Sequence, residues 1–488
     1  MPARAHDRGW RRRAASGVNY FSVDAKVRLT ARAPATTTIE LDAHVFGDLD
    51  TPVTETLGVA PPLMPLLNFT KEWSSMNRLK HNSQRLSAAG CILRLALPAS
   101  LIIAALPTTA SADTITDWNE RAFATMTAAR VSGSVAPART LAMMHTAMFD
   151  VVNAATQSNA SSASREAAAH AAARRVLVDL YPMQQTGLDA VFDAALVKLP
   201  DGAPKSDGIA AGERAAAAIL ADRKADGFNA PDTYRPATSP GVYITTALPL
   251  MSHVAGIKPF ALQSVSQFRP GPPPKLDSAL WARDYNETKE LGAVNSTKRT
   301  AWQAETARFW EIPGPPAWNE AARSLIASKP VPLAESARLF MSLNVASFDA
   351  YLAIFDAKYQ YGFWRPVTAI RNGDRDGNDA TERDAAWLPA ITTPVHPEYP
   401  CAHCVVDGAA GVVMKSVFGS GAVPEFTLTY AVMPGVTRKY STIQQLEDEV
   451  SMARIWGGVH YRNSTEVGHE MGKLVGEFVL KNYMRRDR

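Results

Sequence analysis

The segment from residue 333 to residue 361 is the feature that most limits what this chain can form. Large apolar side chains recur in it at spacings of four, three and four residues: Phe348, Leu352, Phe355 and Tyr359. This spacing predicts a helix that packs one face against a core. The helix must end near Trp364, because Pro366 disfavours helical geometry in the residue before it.

The rest of the chain from Asp113 onward is also predominantly helical in pattern. Residues 228–275 are a Pro-rich connection with little periodicity, and we interpret them as a long ordered loop. No strand alternation is evident, so the predicted fold class is all-α. The chain has 488 residues, 46% apolar and 20% charged, which is ordinary for a globular protein. A net charge of +4 without a basic stripe does not indicate a nucleic-acid partner.

The first 112 residues differ in kind from the remainder. Residues 1–75 show no sustained periodicity, and we interpret them as a non-native or disordered extension. Residues 76–112 have the basic, apolar and small-residue regions of a signal peptide, which predicts a periplasmic or extracellular protein beginning near Asp113. About 12 apolar residues interrupted by Pro98 fall short of the roughly 20 that a membrane span needs. The alternative is a disordered basic tail before a poor anchor.

The three cysteines are too few for a disulfide framework. Cys91 would leave with the signal peptide, so Cys401 and Cys404 would remain. The C-x-x-C pair allows a thiol–disulfide oxidoreductase, but that chemistry normally follows a strand, which is not indicated here. A zinc site would crowd both thiols with His396 and His403 on one turn, and no second C-x-x-C supports it.

Several cations and a helix start occur in the C-terminal third. Lys358 and Arg365 are seven residues apart, so both can face the same side of the chain, although solvated surface cations would show the same spacing. Pro400 suits the first position of a helix that ends at Gly419. Residues 401–403 would then lie at a helix N-terminus, where free N–H groups and the helix dipole favour an anion.

A second helix start lies further along the chain. Residues 442–445 form a capping box, and the helix that follows carries Arg454 in its last turn before Gly457 and Gly458. His460 comes just after the glycines. Three cations and a helix N-terminus together describe a cavity for a small oxyanion, and His403 and His460 would supply acid/base chemistry or ligation.

The ordered motifs K-x6-R-P, P-x-x-H and R-x5-H resemble those of the vanadium-dependent haloperoxidase and type-2 phosphatidic acid phosphatase superfamily. Stretches such as DWNERAFATM, ARTLAMMHTAMFD and HPEYP resemble its secreted bacterial haloperoxidase-like branch. The resemblance implies two halves like four-helix bundles, with the anion site in the C-terminal one. We place the halves at residues 113–330 and 331–488.

The resemblance also implies how the anion would be bound. Lys358, Arg365 and Arg454 would contact the equatorial oxygens of vanadate or phosphate. Cys401 and Ala402 stand where the family has Ser and Gly. Ala402 still offers its backbone N–H, whereas a thiol is a weaker donor than a hydroxyl.

The histidines would decide the reaction. His403 would be the acid/base, and His460 either the axial vanadium ligand of a haloperoxidase or the phosphohistidine nucleophile of a phosphatase. Phosphatase members usually carry Asp four residues after the second His, where this chain has Ser464. His396 stands where chloride-oxidising members have an aromatic residue, which favours bromide or iodide; the alternative is a loop histidine bonded to backbone.

The resulting expectation is an exported haloperoxidase-like enzyme that uses vanadate, hydrogen peroxide, a halide and a small organic substrate. It would have no nucleic-acid partner and no stable membrane span. One alternative is a metal-free acid phosphatase. Another is a degenerate, non-catalytic phosphate-binding protein, if Cys401 disables catalysis.

Overall fold

The computed structural model describes residues 113–235, 237–245, 247–312 and 314–483. The predicted extension 1–75 and signal peptide 76–112 lie outside the described residues. The described part of the chain contains thirteen α-helices: α1 Thr114–Ala128, α2 Val135–Gln157, α3 Ser162–Leu180, α4 Gln185–Leu196, α5 Ala203–Arg223, α6 Ala279–Leu291, α7 Ala301–Phe309, α8 Gly314–Ser328, α9 Leu333–Tyr361, α10 Pro366–Ile370, α11 Ala402–Phe418, α12 Ile443–Trp456 and α13 Arg462–Asn482.

The long helix α9 is the central element, and it has the bounds that the sequence predicts. It ends at Gly362, whose left-handed φ of 54° suits glycine. The helix packs against α2 on one side and against α11 and α13 on the other. Its side chains therefore belong to one apolar core that extends from Ile115 to Tyr483.

Helix α9 also satisfies the length and hydropathy of a membrane span, but 94% of its most apolar window is buried inside the protein. It is a core helix by that measure. The division of the chain at residue 330 stays a prediction.

The connection after α5 is held against α9 by a buried carboxylate. Both oxygens of Asp349 accept hydrogen bonds from the backbone N–H groups of Phe260, Ala261 and Leu262, at 2.7 to 2.9 Å. A 3₁₀ turn at Val254–Gly256 lies just before this contact. The long loop is thus tied to the same helix that supports the C-terminal elements.

Helices α11 and α13 approach closely because glycines line their contact. A Cβ atom at Gly472 would lie 2.0 Å from the Val405 carbonyl oxygen, and one at Gly408 would lie 2.2 Å from the His469 carbonyl oxygen. The N-terminal end of α11 is therefore fixed relative to α13.

The sequence predicts no strands, and this prediction is wrong in one place. Strands β1 Phe426–Thr429 and β2 Thr437–Tyr440 form an antiparallel hairpin in which Phe426 pairs with Tyr440. Each strand has only four residues, so the alternation of buried and exposed side chains is too short to recognise in the sequence. Phe426, Leu428 and Tyr440 pack into the core that the helices form. The all-α fold class is confirmed, since this short hairpin is the only sheet in the described part of the chain.

We expect Gly472→Ala to lower the free energy of unfolding by about 2 kcal/mol, because the methyl group would force α11 and α13 apart. Gly187→Ala is the matched control. Gly187 also lies in a helix, but a Cβ there meets nothing within 4 Å, so alanine should stabilise by about 0.5–1 kcal/mol. Urea denaturation of both variants measures the difference, and equal effects would contradict the close contact.

Candidate functional site

The N-terminus of α11 lies at the centre of the site. The prediction that Pro400 opens the helix is wrong by two residues: α11 begins at Ala402, and Cys401 is its N-cap, with a sulfur that accepts from the Cys404 N–H at 3.4 Å. The Cys401 N–H donates to the Ser464 carbonyl at 3.1 Å. Residues 401–403 are at a helix N-terminus, as the sequence predicts.

Lys358 fixes the loop before this helix. Its Nζ donates to the carbonyl oxygens of Pro397, Glu398 and Pro400 at 3.0, 2.8 and 2.5 Å. Burial and the nearby Arg365 lower the pKa of Lys358, whereas three carbonyl acceptors use all three ammonium hydrogens and favour the charged form. The side chain contributes positive charge to the site and also holds residues 397–400 in place.

Arg365 contacts two of the histidines, His396 and His460. Its Nε donates to the His396 carbonyl at 2.9 Å, and its Nη2 lies 3.1 Å from His396 Nδ1. Its Nη1 donates to the Val459 carbonyl at 2.8 Å and lies 3.2 Å from His460 Nε2. Because a guanidinium has only donors, His460 Nε2 is an acceptor here.

Glu398 is the functional residue that sequence reasoning missed. Its Oε1 accepts from His460 Nδ1 at 2.6 Å, and Ser464 Oγ is 3.5 Å from the same ring nitrogen. Glu398 therefore supplies the orienting carboxylate that Ser464 does not. Burial raises the pKa of Glu398 to about 7 despite the charges of Lys358 and Arg365. The sequence feature that could have identified Glu398 is that it is an acidic residue between two prolines in the HPEYP stretch.

A tight turn after α12 brings His460 next to Glu398 and Arg365. Gly458 has a φ of 74°, in the left-handed region that favours glycine, and a Cβ there would lie 2.4 Å from the Gly292 carbonyl oxygen. The turn leaves His460 buried, just before α13 begins at Arg462. Burial and the charges of Arg365 and Lys358 lower the pKa of His460, so its ring is neutral at pH 7.

Arg454 and His403 lie on the opposite side of the helix start, against residues 310–312. Arg454 Nη1 donates to the Trp310 carbonyl at 2.6 Å, and His403 Nε2 donates to the Ile312 carbonyl at 3.1 Å. His403 Nδ1 is then the ring acceptor. Burial and the charge of Arg454 lower the pKa of His403. Unlike His460, His403 is only half-buried.

The electrostatics of the site favour an anion. Lys358, Arg365 and Arg454 are all buried, and the carboxylate of Glu398 interacts with the first two. Asp407 lies nearby, but burial raises its pKa well above the usual value. Arg454 Nε is buried without a hydrogen-bond partner in the described part of the chain. Buried positive charge with a free donor suits a multiply charged oxyanion such as phosphate or vanadate.

Comparison with known proteins finds relatives for the part of the chain that contains this site. The VCPO second helical-bundle domain matches residues 338–486, which include every predicted site residue. The vanadium chloroperoxidase of Curvularia inaequalis is 28% identical over 33% of this chain; the matched region spans only 31% of that protein. The resemblance to the vanadium haloperoxidase superfamily is confirmed.

Solved haloperoxidase structures extend the likeness over most of the chain. The first bacterial vanadium-dependent iodoperoxidase superposes with a TM-score of 0.62 and 26% identity, covering 76% of this chain and 96% of its own. A bacterial vanadium-dependent chloroperoxidase superposes with a TM-score of 0.59 over 73% of this chain and 95% of its own. At 15% identity, the second likeness concerns the fold alone.

The two rival interpretations of the C-x-x-C pair find little support in the geometry. The predicted zinc ligands do not converge, because His396 bonds to Arg365 and His403 to the Ile312 carbonyl. Within the described residues, no three His, Cys, Asp or Glu side chains are placed to hold a metal ion. The pair follows a loop and not a strand, unlike the βαβ setting of thioredoxin-like enzymes.

We expect Glu398→Gln to weaken vanadate binding about 10- to 100-fold, since an amide polarises the His460 ring less than a carboxylate. Ser464→Ala is the control and should change affinity little, because its hydroxyl is 3.5 Å from the ring. Calorimetric titration with vanadate measures both. In the background of Glu398→Ala, Ser464→Asp should recover affinity. Unchanged binding by Glu398→Gln, at an unchanged melting temperature, would contradict the orienting role.

Proposed function

We propose that this protein is a vanadate-dependent haloperoxidase that uses hydrogen peroxide to oxidise iodide or bromide, which then halogenates a small organic substrate. The observation that carries the proposal is the buried Glu398–His460–Arg365 chain. It holds the ring tautomer in which Nδ1 carries the proton and the Nε2 lone pair faces the buried cations. A histidine that binds a metal through Nε2 needs this tautomer.

The residues present fit vanadate. Arg365, Arg454 and Lys358 supply positive charge, and the N–H groups of Ala402 and His403 lie at the start of α11. His460 Nε2 would be the protein ligand. Vanadate, when bound, supplies a Lewis-acidic centre that activates peroxide toward a halide.

We assign the transfer of a proton to His403. Its Nε2–H is donated to the Ile312 carbonyl, which leaves Nδ1 as the basic atom. Because burial and Arg454 lower its pKa, the ring is neutral at pH 7 and can accept a proton from peroxide entering the site. The same ring can return that proton to the leaving oxygen.

The halide preference is proposed from His396. Its ring contacts the Arg365 guanidinium and lies edge-on to Phe355, with ring centroids 5.1 Å apart. A neutral, polar imidazole at this position suits a large, polarisable halide, and the solved iodoperoxidase is one of the proteins that this chain resembles. We therefore place iodide and bromide before chloride.

We propose that the organic substrate binds in a surface groove of about 550 Å³. It is lined by exposed apolar side chains, among them Val294, Leu388 and Val432, and by Glu311. Glu311 lies between the two residues whose carbonyls bond Arg454 and His403. The groove thus borders the candidate site and suits a small, largely apolar molecule.

A metal-free acid phosphatase is the second candidate, and Glu398 is the observation that favours it. The missing Asp at position 464 weakens a nucleophilic His460, but the carboxylate of Glu398 restores the partner that such a nucleophile needs. Phosphate and vanadate have the same charge and shape, so the anion site suits both.

One experiment separates the two functions. Purified protein is incubated with orthovanadate, hydrogen peroxide and each halide in turn, and in parallel with p-nitrophenyl phosphate without metal. We expect halogenation that requires vanadate, in the order iodide, bromide, chloride, and no release of nitrophenol. His460→Ala should abolish the halogenation, while the melting temperature stays near that of the wild type.

Metal-free nitrophenol release that vanadate inhibits would instead establish the phosphatase. Anion binding without either activity would establish the degenerate, non-catalytic protein.

We further propose that the protein is exported to the periplasm or beyond, on the signal-like pattern of residues 76–112. The expected mature chain begins near Asp113. Intact-mass measurement of the protein from periplasmic and cytoplasmic fractions of its producing cell tests this. A cytoplasmic protein that retains residue 76 onward would contradict it.

A further inference from the structure

The two cysteines at the start of α11 form a close pair that the proposed function does not use. Cys401 Sγ and Cys404 Sγ are 2.7 Å apart, and both thiols are free and fully buried. The sulfurs share one face of the first helical turn, because residues three apart are neighbours on a helix. A disulfide bond of about 2.05 Å therefore needs only a small displacement of either side chain.

The two thiols have different surroundings. Burial alone would raise the pKa of Cys401, but the hydrogen bond from Cys404 and the charge of Arg454 lower it to about 7. Burial and the adjacent Cys401 raise the pKa of Cys404. One sulfur is thus readily ionised while its neighbour keeps its proton, which is the asymmetry of an attacking thiol beside a resolving one.

We propose that Cys401 and Cys404 are a redox modification site, in which peroxide converts the dithiol to a disulfide that weakens anion binding at the helix N-terminus. The Cys401 thiolate attacks one oxygen of hydrogen peroxide, forming a sulfenic acid and releasing water after protonation. The Cys404 thiol then displaces hydroxide from that sulfur. Two thiols and one peroxide give one disulfide and two waters, and an added dithiol reverses the change.

We place the route of peroxide to the pair through the anion site, which the proposed function already requires peroxide to enter. Cys401 directly precedes Ala402 and the half-buried His403 at the start of α11. The sulfur also stands in the electric field of Arg454 and Lys358. Formation of the disulfide does not depend on halide oxidation, since any peroxide small enough to enter suffices.

The effect on the anion rests on the proposed function. A bound oxyanion disfavours the thiolate, because like charges repel, so Cys401 beside the anion is the protonated thiol. That thiol can donate its hydrogen to the oxyanion, whereas a disulfide sulfur has no hydrogen to donate. A hydrogen bond to a charged group is roughly twice as strong as one between neutral groups. We therefore expect the oxidised protein to bind phosphate roughly ten-fold or more weakly than the reduced protein.

The test begins with the bond itself. The protein is reduced, freed of reductant, treated with one equivalent of hydrogen peroxide, alkylated after denaturation and digested with trypsin. Residues 384–415 form one tryptic peptide that contains both cysteines. We expect this peptide to resist alkylation and to be lighter by two hydrogen atoms, with full recovery of both thiols after dithiothreitol. Two alkylated cysteines, or a sulfinic acid without a disulfide, would overturn the proposal.

The second measurement is the affinity for inorganic phosphate, which neither oxidises nor reduces thiols. Calorimetry of the reduced and oxidised wild type should show the roughly ten-fold loss. Cys404→Ser cannot form the bond, and peroxide can convert its Cys401 only to a sulfenic acid, whose hydroxyl still has a hydrogen to donate. Its affinity after peroxide should therefore stay well above that of the oxidised wild type; Cys404→Ala serves if the serine variant unfolds. A disulfide without loss of affinity overturns the switch. Phosphate binding to neither form would refute the anion site and leave the disulfide result standing.

Discussion

The hydrogen bond between Glu398 Oε1 and His460 Nδ1 is the interaction on which the candidate site depends. Both side chains are buried, and a buried carboxylate is stable only when charges and donors meet it. The nearby charges of Lys358 and Arg365 oppose the effect of burial on its pKa. In return the carboxylate fixes the imidazole so that Nε2 faces Arg365. One contact thus sets both the tautomer of His460 and the orientation of its Nε2 toward Arg365.

The scaffold is arranged to keep that contact in place. Lys358 leaves the last turn of α9 and binds three carbonyls of the loop that carries Glu398, so the central helix positions the loop directly. Gly472 allows α13 to approach α11, and His460 comes just before α13. Core packing and site geometry are thus coupled: separation of α11 from α13 would move the helix N-terminus away from His460.

The sequence predicted where several helices of the candidate site begin or end, because those ends carry recognisable residues. Pro366, the capping box at Thr442 and the glycines at 457 and 458 mark where helices begin or end, and the cations and histidines lie beside those marks. Glu398 escaped notice because its partner is 62 residues away along the chain. The hairpin 426–440 was not predicted, because two four-residue strands give too short an alternation of buried and exposed side chains to recognise.

The sequence by itself determined the helical architecture and a helix start within two residues of Pro400, since these follow from local periodicity and capping. The cations and histidines were singled out by the order of their motifs and by the family resemblance. The tertiary structure alone decided that Glu398 orients His460, that Lys358 binds carbonyls of the loop and that the two sulfurs nearly touch. Those are contacts between segments, or details of distance within one turn. Spacing along a chain fixes which face a side chain occupies, whereas its partner is fixed only when the helices pack.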